Sequence, residues 1–210
     1  MLKTIVTIVV KTLNNMIDHA TTHLFATRVE RERSILQQAW ACVCHDHDAY
    51  YISGPITTGA RYLQWHANIG KSLSDADQYN LSHRQHVIDP NTGDLRLAAI
   101  QLRKSTNRLV IEPGGLYMPA WSQSDYLILW KSVFQRFVER IVLLDGWQYS
   151  VGCICELKQA MDFKLPIEDT KGESLTYELC LKIVREAVGV VQGTHLSYSA
   201  QLEKALYCTI

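Results

Sequence analysis

Net charge is the first thing that this sequence lacks. Lysine and arginine together number 21 in the 210 residues, and aspartate and glutamate together also number 21. Because the charges cancel, no overall electric field draws the chain toward nucleic acid or an anionic membrane surface. We therefore expect neither nucleic acid nor a membrane among its partners.

Long hydrophobic runs are also missing. The N-terminal run "TIVTIVV" is seven residues long and is followed by Lys11, without a small-residue cleavage site. A membrane-spanning helix needs about 20 apolar residues, and a signal peptide needs such a cleavage site. The expected location is therefore the cytoplasm, and the six cysteines are expected to be reduced thiols.

Internal repeats and low-complexity tracts are absent as well, whereas 47% of the residues are hydrophobic. A chain of this length and composition can bury one sizeable core, so we predict one domain with extensions. The predicted boundaries are a helical N-terminal extension over 1–48, an α/β domain over 49–169 and a helical C-terminal extension over 170–210.

Strand patterns alternate with helix patterns along the chain. Short apolar runs predict strands at Tyr50–Ser53, within "RLVIEPGG", at Ile141–Leu144 and within "KLPIED". Helical spacing predicts one or two helices in Asn14–Trp40, and helices at Arg61–Lys71, Leu95–Lys104, Tyr126–Phe137, Glu156–Met161, Leu175–Val191 and Tyr198–Leu206. An irregular insertion is predicted for Ser72–Asn91. The alternation predicts a flavodoxin-like three-layer α/β/α sandwich with a small parallel sheet.

Ligands of such folds bind outside the carboxyl ends of the strands. The segment "IVLLDGWQYSVGCICELKQAM" places Glu156 in the predicted first turn of a helix that follows a strand end. A carboxylate there either complements the helix dipole, which contributes roughly 0.3–1 kcal/mol, or faces the ligand crevice. The other segments of the chain distinguish these two interpretations.

Four segments occur in an informative order: "YISGPIT", "SQSDYLILW", "LLDGWQYSVGCICE" and "KLPI". Together they resemble the nucleoside 2-deoxyribosyltransferase-like superfamily, which includes deoxynucleoside monophosphate N-glycosidases and uncharacterised bacterial and phage proteins. The resemblance covers about Tyr50 to Ile167. It implies cleavage of the bond between C1′ of a sugar and a nucleobase nitrogen, with a small-molecule nucleotide or nucleoside as substrate and without a cofactor or a metal.

The resemblance implies that Glu156 is the nucleophile on C1′ and that Asp125 is a partner carboxylate that handles protons. An ionised carboxylate below C1′ stabilises the positive charge that develops as the base departs, and it can trap that charge covalently. A helix N-terminus is expected to keep Glu156 ionised. A second carboxyl group of higher pKa suits protonation of the base. For Asp125, a capping role at the start of the following helix remains the alternative.

Substrate contacts are implied for the first strand, its loop and the turn before Glu156. The predicted substrate-binding residues are Tyr51, Gly54, Ile56, Arg61, Trp147, Ser150 and Gly152. For Gly54 the alternative is a tight turn, and for Arg61 a solvated surface position. Trp121 and Trp130 are further candidates for stacking on a base, although at least two of the three tryptophans are expected to be core or interface residues.

Ser150 determines which substrate is predicted. Transferases of the family that act on free nucleosides commonly have an aspartate six residues before the nucleophile, whereas its monophosphate N-hydrolases have serine there. A hydroxyl beside the Gly152 backbone at a helix N-terminus can donate to a phosphate, which a carboxylate would repel. The alternative is that Ser150 only caps the turn. The favoured function is therefore cleavage of a nucleoside 5′-monophosphate. Deoxyribosyl transfer, NAD cleavage and non-catalytic nucleotide binding or assembly remain alternatives, and a homo-oligomer is expected by analogy with the family.

Two groups of cysteines could bind a metal or act as nucleophiles. Cys42–His47, "CVCHDH", holds four potential zinc ligands in one dense cluster. Because structural zinc sites pair two separated ligand groups, this cluster is interpreted as a helix end that leads to the first strand. Cys153 and Cys155 lie beside Glu156 without an adjacent histidine, and they are interpreted as packing residues.

Overall fold

A four-stranded parallel sheet forms the centre of the computed structural model, which describes residues 28–193 and 195–207. The strands are β1 (Ala49–Ser53), β2 (Leu109–Ile111), β3 (Val138–Leu143) and β4 (Ile167–Asp169). Their spatial order is β2-β1-β3-β4. This is the strand order of flavodoxin-like winding, in which successive strands are added on one side of β1 and then, from β3 onward, on the other side.

Eight α-helices lie within the described residues. They are α1 (28–43), α2 (Ala60–Asn68), α3 (Ala76–His83), α4 (Asp89–Thr106), α5 (Gln123–Phe137), α6 (Val151–Asp162), α7 (Tyr177–Gln192) and α8 (Leu196–Ala205). A π-helical segment, Arg84–Ile88, joins α3 to α4. Short 3₁₀ turns occupy Gly70–Ser72, Pro113–Gly115 and Trp147–Tyr149.

Different helices cover the two faces of the sheet, because successive side chains of a strand point to opposite faces. Ile52 of β1 and Val110 of β2 form a buried cluster with Leu95 and Ala99 of α4. Tyr51 of β1 belongs instead to the larger cluster, which contains most of the buried apolar residues of α5 and those of α6. Helix α4, the sheet, and the α5–α6 pair are therefore three layers, and the predicted α/β sandwich is confirmed.

The terminal helices belong to the same body. Cys180 of α7 and Leu202 of α8 are fully buried in the larger core cluster, and α8 packs against α6. Val29 of α1 packs in a third cluster with Leu129 of α5. The two predicted C-terminal helices are present as α7 and α8, whereas the part of the predicted N-terminal helices before residue 28 lies outside the described residues.

The expectation of an irregular insertion over Ser72–Asn91 is wrong. Most of that segment is helical, since it contains α3, the π-helical segment and the start of α4. The side chain of Asp75 accepts a hydrogen bond from the backbone N–H of Gln78 and so caps α3. Helix α3 buries none of its residues, which is why apolar periodicity did not reveal it.

Helices α4, α5 and α6 begin at least three residues earlier than predicted, and α4 begins at Asp89 instead of Leu95. Ser122 is the N-cap of α5 and Ser150 is the N-cap of α6, so these helices start at Gln123 and Val151. Glu156 consequently lies in the second turn of α6, and its predicted place in the first turn is wrong. The helix dipole acts mainly within the first turn, so it does not account for Glu156.

Cys42–His47 connects a helix to the sheet. Helix α1 ends at residue 43, and residues 44–48 lead into β1, as interpreted from the sequence. Cys42 is exposed, whereas Cys44 packs in the larger core cluster. In the described part of the chain, no group of three or more His, Cys, Asp or Glu side chains is arranged to hold a metal ion.

None of the helices described combines the length and apolar character that a bilayer span requires.

Candidate functional site

Glu156 lies at the carboxyl edge of the sheet, where β1 ends. Its Oε1 accepts a hydrogen bond of 2.6 Å from the Tyr51 hydroxyl, and its Oε2 accepts one of 2.5 Å from the Ser53 hydroxyl. Tyr51 and Ser53 are two residues apart on β1, so both point to the face that α6 covers. Glu156 is 8% exposed, and Tyr51 and Ser53 are 0% exposed. Two hydroxyl donors thus hold one carboxylate in a nearly closed site.

Burial controls the protonation of this carboxylate. Removal from water raises the pKa of Glu156 to about 7, although the hydrogen bonds from Ser53 and Tyr51 lower it. The expectation that a helix N-terminus keeps Glu156 fully ionised is therefore wrong, because near neutral pH the side chain is close to its titration midpoint. Burial, followed by the charge of Glu156, raises the pKa of Tyr51, so the Tyr51 hydroxyl remains a donor.

Aromatic side chains of α5 fix the ring of Tyr51. Trp130 meets it edge-to-face with ring centroids 5.5 Å apart, and the Phe134 ring lies at 4.5 Å. Such contacts restrict the ring and therefore the position of its hydroxyl. Trp130 and Trp147 are 4% and 5% exposed, and Trp121 is 9% exposed. All three tryptophans considered for base stacking, including the predicted contact residue Trp147, are thus buried.

A series of hydroxyl and thiol groups continues from Glu156 toward the loop after β1. Cys153, which precedes Glu156 by one helical turn, hydrogen-bonds with Ser53 and Ser150. The Ser150 hydroxyl accepts hydrogen bonds from Thr58 at 3.1 Å and from the N–H of Cys153 at 3.5 Å. Burial raises the pKa of Cys153 to about 12, so the thiol stays protonated. Ser150, a predicted phosphate contact, is 3% exposed and caps α6.

Open space lies beside the first turn of α6. Apart from its chain neighbours and the backbone of its own helix, a Cβ built on Gly152 would have one atom within 4 Å, the Ser150 Oγ at 3.9 Å. The first N–H groups of a helix have no partner within the helix, and a ligand can reach those that the cap leaves free; in α6 the Ser150 cap accepts from Cys153. The predicted contact between the Gly152 backbone and a ligand therefore has room.

The loop at 54–59 packs tightly against its surroundings. A Cβ on Gly54 would lie 2.9 Å from the Leu144 side chain, so the absence of a side chain at Gly54 serves packing. The side chain of Asn91 donates to the carbonyl groups of Ile56, at 3.0 Å, and of Thr58, at 3.1 Å. Helix α4 thereby holds the loop that contains both predicted contacts, Gly54 and Ile56.

A cavity of about 280 Å³ opens at this edge of the sheet. Its lining includes Pro55, Arg61, Asn91, Asp94, Asp145 and Gly146, but not Glu156. Arg61 donates to Asn91 at 2.5 Å and to Asp94 at 3.0 Å. The side chains of Arg61 and Asp94 are 40% and 57% exposed, and an ion pair so exposed contributes little to stability. Arg61 can therefore exchange Asp94 for a ligand at small cost.

A larger cavity, of about 440 Å³, lies at the amino-terminal ends of the strands. Asp46 and His47, which precede β1, line it together with residues of α5, among them Arg136. Because ligands of parallel sheets bind at the carboxyl ends of the strands, volume alone does not locate the site. We place the candidate site at the edge that contains Glu156.

Asp125 serves the start of α5. Its Oδ2 accepts hydrogen bonds from the Ser122 N–H at 2.9 Å and from the Ser122 hydroxyl at 2.6 Å, which completes a capping box. The Ser122 hydroxyl holds the pKa of Asp125 below its usual value, and Arg33 lowers it further. The higher pKa expected for a proton donor is therefore wrong for Asp125. Among the described residues, no hydrogen bond joins Asp125 to Glu156 or Tyr51.

Sequence reasoning missed three residues that shape the site: Ser53, Thr58 and Asn91. Ser53 had a usable signal, because a strand that directs Tyr51 toward a ligand edge directs Ser53 to the same face. Asn91 had none, since it lies in the segment predicted to be irregular. Thr58 depends on a contact with Ser150, 92 positions away in the chain.

Comparisons with models of protein families, with curated proteins and with solved structures found no match to this chain. The resemblance described above therefore rests on the residue pattern alone and stays a prediction. The functional assignment depends on Glu156 and its contacts.

Proposed function

We propose that this chain is an N-glycosidase that hydrolyses the base–sugar bond of a (deoxy)nucleoside 5′-monophosphate, with Glu156 as the nucleophile. The observation that supports this most is the buried Glu156 carboxylate, which Tyr51 and Ser53 hold at the end of β1. A carboxylate at this edge lies where ligands of open α/β sheets bind. Arg61 lines the cavity at the same end of the strands.

The reaction uses the ionised form of Glu156. The carboxylate attacks C1′, the C1′–N bond breaks, and its electron pair leaves with the base, which takes a proton from the solvent that the attacking water of the next step returns. Water then attacks C1′ of the glycosyl ester, which releases the sugar 5′-phosphate and restores the carboxylate. Because the carboxylate is buried, its charge is weakly screened and stabilises the positive charge that develops on the sugar.

The pH dependence of the rate distinguishes a nucleophile from an acid. With the pKa of Glu156 raised to about 7, a nucleophilic Glu156 makes kcat/KM rise with pH through about 7. If Glu156 instead donated a proton to the base, kcat/KM would fall above about 7. A pH profile measured with one substrate and several buffers separates the two roles.

Base release tests the proposal directly. Purified protein is incubated with nucleosides, nucleoside 5′-monophosphates and NAD, and free base is measured by chromatography. Glu156→Gln is expected to lose at least about 100-fold in kcat, because an amide offers no negative charge to the transition state. Glu186→Gln makes the same chemical change on the exposed face of α7, where Glu186 is 64% exposed, and is expected to retain activity.

Other outcomes would change the assignment. Activity of Glu156→Gln within a few-fold of the wild type would contradict a nucleophilic role for Glu156. Release of base from NAD alone would favour the NAD-cleaving alternative. Exchange of one base for an added second base, without net hydrolysis, would assign the chain as a transferase.

The preference for a 5′-monophosphate is tested at Ser150. Aspartate caps helices as well as serine does, so Ser150→Asp keeps the start of α6 while it adds a negative charge. We expect kcat/KM for the monophosphate to fall at least about tenfold more than for the matching nucleoside. An equal change for both substrates, or a wild-type preference for the free nucleoside, would contradict a phosphate site here.

We propose that the chain acts in the cytoplasm and that it forms a homo-oligomer. Light scattering at working concentration tests the oligomer. A single species at the chain mass of 23.9 kDa would count against it.

A further inference from the structure

Tyr198 of α8 connects the two segments that frame Glu156. Its hydroxyl donates to the carbonyl of Tyr149 at 2.7 Å and accepts from the N–H of Gly59 at 3.4 Å. Gly59 ends the loop after β1, and Tyr149 immediately precedes Ser150, the N-cap of α6. One buried hydroxyl from the C-terminal helices thus touches the backbone on both sides of the site.

Thr58 adds a second connection beside the first. The Thr58 hydroxyl interacts with Tyr198 and donates to the Ser150 hydroxyl at 3.1 Å. The loop at 54–59 and the turn at 146–150 are therefore joined both through Tyr198 and through Thr58. Ser53 directly precedes this loop, and the helix that carries Glu156 directly follows this turn.

We propose that Tyr198 is a positioning residue for Glu156, an inference that rests on the function proposed above. By joining the loop to the turn, Tyr198 keeps the end of β1 and the start of α6 at the separation that the hydrogen bond between Ser53 and Glu156 requires. The C-terminal helices are thereby part of the active site.

The packing of Tyr198 allows a conservative test. Tyr198 is 5% exposed, and the Tyr62 ring of α2 lies 5.5 Å from its ring. Leu202, one turn later on α8, is fully buried. Tyr198→Phe therefore retains the ring in its packed position and removes only the hydroxyl, which leaves the Tyr149 carbonyl without this donor.

Tyr198→Phe is expected to change the titration of Glu156. The Ser53 hydrogen bond lowers the pKa of Glu156 and burial raises it, so a longer contact with Ser53 lets the pKa rise. The acid limb of kcat/KM should move upward by about 0.5 pH unit or more. We also expect kcat to fall several-fold, with a smaller change in KM. The other titratable groups of the site are Tyr51 on β1 and Cys153 on α6.

Tyr177→Phe is the matched control. The Tyr177 hydroxyl of α7 donates to the carbonyl of Leu165 at 3.1 Å, at the amino-terminal end of β4 and hence at the opposite edge of the sheet. This variant loses a hydrogen bond of the same kind and should lower Tm without shifting the Glu156 titration. A purely structural role of Tyr198 would give the same result for Tyr198→Phe.

A titration without substrate separates this inference from the proposed function. The Glu156 carboxyl is followed by NMR in protein labelled at the glutamate carboxyl carbons, with Glu156→Gln for assignment. If the wild type releases no base from any substrate, the proposed function fails, but the titration still tests Tyr198. Ser53→Ala should raise the pKa of Glu156, and Tyr198→Phe should add no further shift in that background. An unchanged titration in Tyr198→Phe, or a full additional shift after Ser53→Ala, would overturn the inference.

Discussion

Glu156→Gln is expected to stabilise the protein at alkaline pH, although it removes the proposed nucleophile. Burial raises the pKa of Glu156 from 4.5 to about 7. The folded state therefore binds this proton more tightly than the unfolded chain does. The resulting stabilisation is complete below about pH 4.5 and is lost as the pH rises through about 7. Glutamine does not titrate, so the variant does not lose this contribution.

The magnitude follows from the size of the pKa shift. A rise from 4.5 to about 7 corresponds to roughly 3 kcal/mol over the whole range. Between about pH 5.5 and about pH 8.5, linkage predicts that the wild type loses about 2 kcal/mol of unfolding free energy relative to Glu156→Gln. For a chain of this size, that difference corresponds to about 4–8 °C in Tm.

The assay is urea unfolding of both proteins across this pH range, with the difference between them taken at each pH. Other titrating groups contribute equally to both proteins and cancel. The surface variant Glu186→Gln should follow the wild type at every pH. Parallel pH dependences of the wild type and Glu156→Gln would refute the reasoning, because they would mean that Glu156 has an ordinary pKa in the folded state.

Three further variants and one control variant test the framework of the site. Gly59 has a φ of 99°, and a Cβ there would lie 2.7 Å from Pro55. Gly59→Ala should therefore lower the free energy of unfolding in urea by more than about 1 kcal/mol. The control is Gly115→Ala, where a Cβ would have nothing within 4 Å, and it should change that free energy by under about 0.5 kcal/mol. Asp125→Asn weakens the capping box and should lower the free energy of unfolding by about 0.5–1 kcal/mol. Any loss in the rate of base release should then be the same for substrates with different bases. A loss confined to bases that are poor leaving groups would instead indicate proton transfer by Asp125. Asn91→Ala removes the side chain that donates to two loop carbonyls. It should lower the free energy of unfolding by about 1–3 kcal/mol and speed the hydrogen exchange of backbone amides at 54–59. An unchanged Tm would contradict this.

Local patterns in the sequence predicted the layers of the fold. Short apolar runs marked β1 and β3 because central parallel strands are covered on both faces. The starts of helices were harder to predict. Apolar spacing shows which part of a helix packs against the core, whereas the N-cap residue determines where the helix begins. Ser150 was visible in the sequence, but its capping of α6 was only one of its possible roles. The exposed helix α3 lacked an apolar stripe altogether.

The sequence identified some residues of the candidate site, but neither their contacts nor the protonation of Glu156. Tyr51 and Glu156 were identified from the sequence, yet their hydrogen bond joins positions 105 residues apart. The protonation of Glu156 depends on burial by several elements at once, so no local pattern contains it. Asp125 illustrates the converse, because a carboxylate near the start of an apolar helix fits both a cap and a catalytic group until its neighbours are known.

The strands of the sheet differ in length in a way that bears on self-association. The two edge strands, β2 and β4, have three residues each, whereas the central strands β1 and β3 have five and six. An edge strand offers its free backbone groups to strands of other molecules, and short edges offer few of them. We therefore expect any homo-oligomer to form through helical surfaces. For the same reason, the sheet of the described residues offers little backbone for the strand-by-strand growth that produces fibres.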